Sequence, residues 1–248
     1  MNRSQLQDKN IIEFSTLETK CVYLASERMK MEYKYIKECP LELNTKLVQR
    51  GWRRFGFYYS RPTCQSCSEC LSLRIDAENF KFSKSMRRVM RKNEETRILI
   101  RKPAISQEHL KLYEKYHRFM QQKKGWDYYP VTENSYYDLY ASGAGEFGYE
   151  VLYIRDQKLV GVDLIDFIED GVSSIYFYYD PDYASLSLGK YSLYKQIEFA
   201  KKRGLRWIYL GYYVKYCNSL NYKAEYKPYE ILINNPSLKE KDIWQAEK

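Results

Sequence analysis

Tyr149-Glu-Val-Leu-Tyr-Ile154, Leu159-Val-Gly-Val-Asp-Leu-Ile-Asp-Phe167 and Val172-Ser-Ser-Ile-Tyr-Phe-Tyr178 follow one another with only Arg155-Asp156-Gln157 and Glu169-Asp170-Gly171 to break them. Runs this rich in β-branched and aromatic residues, separated by short polar turns, predict an antiparallel meander. Ser187 to Lys202 then repeats Leu188, Tyr191, Tyr194 and Ile197 every three residues, with Lys195, Lys201 and Lys202 falling elsewhere, which predicts an amphipathic helix ended by Gly204. Trp207 to Val214 reads as a strand returning to the sheet. Strands, helix, strand is an α/β (α+β) order with a mixed sheet and flanking helices.

Upstream, Gln107 to Lys123 has helical spacing through Leu110, Tyr113, Tyr116, His117 and Met120. Ala25 to Lys37 mixes charge and aromatics in the manner of a short helix, and Gly51 to Leu73, with Gly51, Gly56, Pro62 and three cysteines, reads as irregular. We therefore expect a small cysteine-containing amino-terminal module over residues 1–105 and a catalytic-sized domain over residues 106–248. No apolar run reaches the roughly 18 residues of a membrane span, and Met1 to Asn10 is too polar for a secretory signal, so the expected compartment is the cytoplasm, with no membrane partner.

The chain has 41 Lys and Arg against 32 Asp and Glu, a formal charge of +9, which favours a polyanionic partner. The most basic stretch, Lys81 to Lys102, holds nine cations and two acids and suits either a phosphate backbone or an ordinary solvated face. Tyrosines number 27; beside basic groups they can stack on unpaired bases, or simply fill the core.

Cys64-Gln-Ser-Cys67-Ser-Glu-Cys70 spaces three thiols at intervals of three, and Cys21 lies upstream. Four soft ligands suffice for zinc or an iron-sulfur cluster; Cys39 and Cys217 compete for the fourth place, and buried reduced cysteines supporting a turn are the plain alternative. With two histidines in the chain and no Cys and His arrangement, none of the thiols reads as a nucleophile. Farther on, Tyr178-Tyr-Asp180-Pro181 ends a strand on a carboxylate and Ser187-Leu188-Gly189 opens the helix. Unpaired N–H groups there could hold a phosphate or an ester near Asp180, or Asp180 could simply cap a turn.

Ser174-Ile-Tyr-Phe-Tyr-Tyr-Asp180-Pro181-Asp-Tyr183, Leu186-Ser-Leu-Gly189-Lys-Tyr191, Tyr209-Leu-Gly211-Tyr212, Asn221-Tyr222-Lys223 and Pro228, preceded by Cys21-Val-Tyr23-Leu24, Gly51-Trp-Arg53-Arg54, Arg61-Pro62-Thr-Cys64 and Arg74, together resemble the arginyl-tRNA protein transferase family. The Cys-x-Tyr-Leu form is similar to the bacterial aspartate/glutamate leucyltransferase branch. The resemblance implies a GNAT-like catalytic domain that uses no acetyl-coenzyme A, and transfer of leucine from leucyl-tRNA to the amino terminus of proteins beginning with Asp or Glu, marking them for degradation in the N-degron pathway. Two departures stand out: His117-Arg118 is shifted from the family's usual Arg-His pair, and Cys217-Asn-Ser-Leu220 differs from the usual Lys-Met.

Aminolysis of an ester needs positioning, a proton acceptor and charge stabilisation, but no cofactor for the transfer itself. Asp180 is the first candidate to hold and deprotonate the amine. Tyr178 and Tyr222 are candidate hydrogen-bond donors, and Lys223 a candidate to stabilise charge. An acidic acceptor calls for arginine, so Arg53, Arg54, Arg61 and Arg74 are candidates, with ion pairing inside the cysteine module as their alternative; Ser187, Gly189 and Tyr212 complete the expected substrate contacts. An arginyl transferase with an acidic donor pocket, an acetyl-coenzyme A-dependent acetyltransferase and a non-catalytic tRNA-binding protein are the competing readings. The sequence leaves the oligomeric state open.

Overall fold

The computed structural model describes residues 11–247. In chain order the elements are β1 Ile11–Ser15, β2 Thr19–Lys20, β3 Arg28–Met29, β4 Met31–Ile36, α1 Leu41–Gln49, β5 Arg53–Phe55, β6 Tyr58–Pro62, β7 Leu71–Asp76, α2 Lys84–Lys92, β8 Arg97–Arg101, α3 Gln107–Lys124, α4 Glu133–Tyr136, β9 Gly148–Arg155, β10 Lys158–Phe167, β11 Gly171–Tyr179, α5 Leu188–Lys202, β12 Trp207–Tyr213, β13 Tyr229–Leu232 and β14 Trp244–Ala246.

An eight-stranded mixed sheet in the order β14-β13-β7-β12-β11-β10-β9-β8 forms the centre. Strands β9, β10 and β11 make the expected antiparallel meander, and α5 carries the chain over to β12, which pairs parallel to β11. One core holds Leu188, Tyr191, Tyr194 and Ile197 of α5 against Ile75, Val151, Tyr153 and Val172. The other holds Leu112, Tyr116 and Met120 of α3 against Val162, Leu164 and Tyr178. Apolar spacing therefore identified both helices, because each lays one stripe on a sheet face. Gly125 and Gly204, at φ 67° and 68°, end them in the left-handed conformation that favours glycine. Among the described residues, no helix is long and apolar enough to cross a membrane.

A second, four-stranded sheet, β1-β4-β6-β5, replaces the helix expected over Ala25 to Lys37. Met31 to Ile36 alternates instead: Tyr33 and Tyr35 meet Phe14 and Tyr58 on the outer face, while Ile36 packs beside Leu47, Trp52 and Tyr59 on the inner one. That two-residue period is a strand's. The region expected to be irregular contains the β5–β6 hairpin, turned at Gly56, where φ is 58° and an added Cβ would lie 1.8 Å from the Asp138 carbonyl oxygen. The expected division at residues 105 and 106 does not separate the sheets, since β7 and β8, both upstream of it, belong to the large one.

The two sheets are joined by a buried ion pair. Arg54 of β5 grips Asp166 of β10 with two donors, at 2.6 and 2.8 Å, and their side chains are 4% and 0% exposed. Asn44 of α1 also donates to Asp166, and receives the Tyr59 hydroxyl. Removing one member of a buried pair strands the other. Arg54→Ala is expected to cost about 3–5 kcal/mol, whereas Lys46→Ala, which opens an exposed pair with Glu42, should cost less than about 1 kcal/mol. Denaturant melts of both variants check this, and equal losses would deny Arg54 its role as the joint.

Candidate active site

Strands β11 and β12 pair only from Gly171–Ser173 to Trp207–Tyr209 and then part, although both continue. Parting leaves β11 carbonyls to be satisfied by something other than a strand. Arg53 supplies the donor: its Nη2 lies 2.6 Å from the Ser174 oxygen and 3.2 Å from that of Ile175. On β12 the register shifts between Tyr209 and Gly211, and Gly211 adopts φ 70°. A Cβ there would sit 2.5 Å from the Arg53 guanidinium carbon, so glycine is what lets the arginine enter the gap.

Lys223 lies on the other side of the same bulge. Its ammonium is buried and donates to the carbonyls of Leu210 (2.9 Å) and Tyr212 (2.5 Å). Burial, followed by the charge of Arg53, pulls its pKa down to about 7. The adjoining Tyr222 is 44% exposed and lies within the field of Arg53, as do Tyr23 and Tyr212. The Tyr212 hydroxyl itself is occupied, donating to the Ser60 carbonyl at 2.9 Å and tying β12 to the small sheet.

The four candidate arginines divide clearly. Arg54 is held by Asp166; Arg61 by Glu32 and the Pro236 carbonyl; and Arg74 by Glu230, between the rings of Trp207 and Trp244 at 3.8 and 4.3 Å. These three are structural ion pairs. Arg53 alone of the four makes no ion pair within 4 Å among the described residues; it donates to two backbone oxygens, and the charge of Asp166 reaches it only from farther off.

Beside Tyr212 opens a cavity of about 370 Å³. Val22, Tyr23, Leu24, Met29, Met31, Leu71, Leu232 and Ile233 give it apolar walls; Arg28 and Arg61 reach its margin, and none of its lining residues is Asp or Glu. Cys21, Cys64, Cys67 and Cys70 also line it, so the structure gathers the thiols that the spacing singled out. Burial and then the neighbouring thiols push Cys70 up to about 12. Among the described residues, no group of three or more His, Cys, Asp or Glu side chains is placed to hold a metal ion.

Two expected catalytic groups sit elsewhere. Tyr178 is fully buried with its hydroxyl 2.5 Å from that of Tyr136, in the aromatic layer under α3. Asp180 caps the turn Pro181–Leu186 by accepting the Asp182 N–H at 3.0 Å, and pairs with Lys115 of α3 at 2.5 Å. Ser187 begins α5 in the left-handed conformation at φ 55° without a side-chain cap. Gly189 is open, an added Cβ meeting only the Phe177 ring at 3.9 Å.

Sequence reasoning gave no role to Tyr116 and Tyr176 and no environment to His117. Nδ1 of His117 lies 2.8 Å from the Tyr113 carbonyl and must donate to it, which leaves Nε2 to accept the Tyr176 hydroxyl at 2.7 Å. Burial lowers the pKa of this histidine, in keeping with a neutral ring. Tyr116 of α3 meets the ring of Tyr179, their centroids 5.2 Å apart. Their one-dimensional signal was the α3 spacing itself, which a core stripe produces equally well.

The fold is thus of the mixed α/β class, an eight-stranded sheet with helices packed on it whose one parallel pair among the described residues parts beside Arg53. The chain belongs to the arginine-tRNA-protein transferase family: the family's amino-terminal model matches residues 19–88 and its carboxy-terminal model residues 108–233. It is 54% identical over 235 residues to an aspartate/glutamate leucyltransferase of Campylobacter jejuni, covering 94% of this chain and 98% of that one. Proteins of the same name from Helicobacter hepaticus (40% identical, covering 95% and 98%) and Hahella chejuensis (32%, covering 92% and 96%) are similar over nearly the same span.

Asp180→Asn separates capping from chemistry. Asparagine caps as well as aspartate, and opening the partly exposed pair with Lys115 should cost less than about 1 kcal/mol. The rate of transfer is expected to stay within about threefold of the parent. A fall of about 100-fold or more at unchanged melting temperature, the size of a lost acid-base group, would return a chemical role to the carboxylate.

Proposed function

We propose that this protein transfers leucine from leucyl-tRNA to the amino terminus of proteins beginning with Asp or Glu, extending them with a residue that marks them for degradation. The observation that carries the reading is Arg53, a cation that makes no ion pair among the described residues, in the gap between β11 and β12, next to a lysine with a pKa near neutrality and a cavity with no Asp or Glu among its described lining residues. A buried guanidinium lacking an acid is suited to a substrate that brings one. An apolar cavity with no Asp or Glu among its lining residues suits a leucyl side chain and gives an arginyl one no carboxylate to pair with.

In the reaction, the acceptor's free α-amine attacks the ester carbonyl carbon. The new C–N bond forms, a tetrahedral oxyanion develops, and the bond to the ribose oxygen of the tRNA 3′ end then breaks. Neutral Lys223 takes the proton that the amine loses and returns it to the departing ribose oxygen, while the Tyr222 hydroxyl donates to the oxyanion. Arg53 holds the acidic side chain of the acceptor. Asp180 orders the turn before α5, and Tyr212 and Tyr178 support the strands. An ester is already activated, so transfer requires no cofactor.

Purified protein offered leucyl-tRNA and arginyl-tRNA with peptides beginning Asp, Glu, Lys or Ala should join leucine to the first two. Equal labelling of all four, or a preference for arginine, would overturn the reading. Arg53→Gln should raise KM for the acidic peptides by about 10- to 100-fold, the worth of a charge-assisted bond, with tRNA binding unchanged.

The pH profile tests Lys223. A lysine acts as a base only when neutral, so with a pKa near 7 the rate should be level above that pH and fall about tenfold per unit below it. In Lys223→Arg, which stays charged, the rate should be low throughout. An unshifted profile in that variant would move the proton elsewhere.

A further inference from the structure

We infer that α2 is the surface on which the RNA phosphate backbone rests, an assignment that rests on the proposed use of aminoacyl-tRNA and goes beyond it by naming where the polyanion lies. In its nine residues α2 carries Lys84, Arg87, Arg88, Arg91 and Lys92 and no acid. All five are exposed, and among the described residues none has a carboxylate within 4 Å. Arg87 and Lys92 donate only to the carbonyls of Phe82 and Ser185.

Some cations elsewhere are paired, as Lys46 is with Glu42, Arg118 with Glu114, Arg155 with Glu95 and Arg206 with Asp76, while others such as Lys111 and Lys158 stand exposed without an ion pair among the described residues. What sets α2 apart is density: five cations without an ion pair lie within nine residues that include no acid, a local positive charge suited to a polyanion. A nine-residue helix is about 13 Å long, and charges spaced along it can meet successive phosphates of one strand.

Two observations favour RNA over other anionic partners. The apolar residues of α2, Met86, Val89 and Met90, pack against the large-sheet core, so the helix has no free apolar face to sink into a lipid surface. Its carboxy-terminal end is also joined to the turn that leads into α5. Lys92 reaches the Ser185 carbonyl, and Asn93 donates to that of Leu186 at 2.9 Å. A backbone lying on α2 is thus led toward the turn that opens α5. The groove between α2 and α5, of about 1080 Å³, adds Lys81; its Lys195 is already neutralised by Glu198.

The test uses the full chain with Lys84, Arg88 and Arg91 changed together to Gln, and Lys46→Gln as a charge control on another face. For the triple variant, KM for leucyl-tRNA and Kd for uncharged tRNA should rise about tenfold or more. The slope of log Kd against log salt should become shallower by about two to three, one for each phosphate no longer neutralised. The maximal rate at saturating tRNA and KM for an Asp-initiated peptide should stay as they were, and Lys46→Gln should change nothing. An unchanged tRNA Kd and salt slope overturns the inference, as does a rise confined to KM for the peptide, which would make α2 a polypeptide surface. Failure of the unaltered protein to transfer leucine would instead defeat the functional reading itself.

Discussion

The ion pair of Arg54 with Asp166 is the constraint on which the site depends. A charge with almost no solvent contact is tolerable only when its partner and its remaining hydrogen bonds are fixed. Here Asp166 receives two guanidinium donors and one from Asn44, and Arg54 also donates to the carbonyls of Gly56 and Gly143. The small sheet, α1 and the loop before β9 are therefore locked onto the inner end of β10. That pair does not have to add net stability to matter; it fixes where β5 lies relative to β11.

Once β5 is placed, strand alternation does the rest. Adjacent residues on a strand face opposite ways, so anchoring Arg54 inward turns Arg53 toward the parted ends of β11 and β12. The two arginines share a residue type and a backbone, yet one is neutralised by a carboxylate and the other is left with carbonyl oxygens. Gly211 completes the arrangement from the opposite strand, because any side chain at that bulge would occupy the place of the guanidinium.

The fold of the last hundred residues was legible because each element has one buried face of regular period, from the meander through α5 to β12. The amino-terminal sheet was not. Its strands are short and carry aromatics and charges together, so Met31 to Ile36 shows its alternation only once Tyr33 and Tyr35 are seen to share a face. Sequence motifs selected Arg53, Arg54, Arg61 and Arg74 as one group, and could not divide them because their partners Asp166, Glu32 and Glu230 are remote in the chain or indistinguishable from other surface acids. Tyr178 and Asp180 were selected for the same reason, their place in a motif, although one is sealed beneath α3 and the other is engaged by Lys115 and by its own turn. Lys223 could be named as a cation, but its low pKa comes from burial against two carbonyls, which only the folded chain brings about.

A second buried carboxylate links α5 to the same gap. Asp163 of β10 is fully buried, and burial raises its pKa to about 7, while the Gln196 amide of α5 donates to it at 2.8 Å and to the Ser174 hydroxyl at 3.1 Å. The Ser174 carbonyl is in turn the nearer acceptor of Arg53. A polar line thus runs from β10 through α5 and β11 to the guanidinium, and it crosses the sheet where the parallel pairing ends. These bonds are buried or partly buried, so a shift of α5 along the sheet would cost Gln196 and Asp163 the hydrogen bond between them. The helix whose open start faces the turn beyond Asp180 is therefore held in register with the arginine in the gap. Helix α5 and the arginine in the gap are thus linked through Ser174 of β11, whose hydroxyl takes the one hydrogen bond and whose carbonyl takes the other.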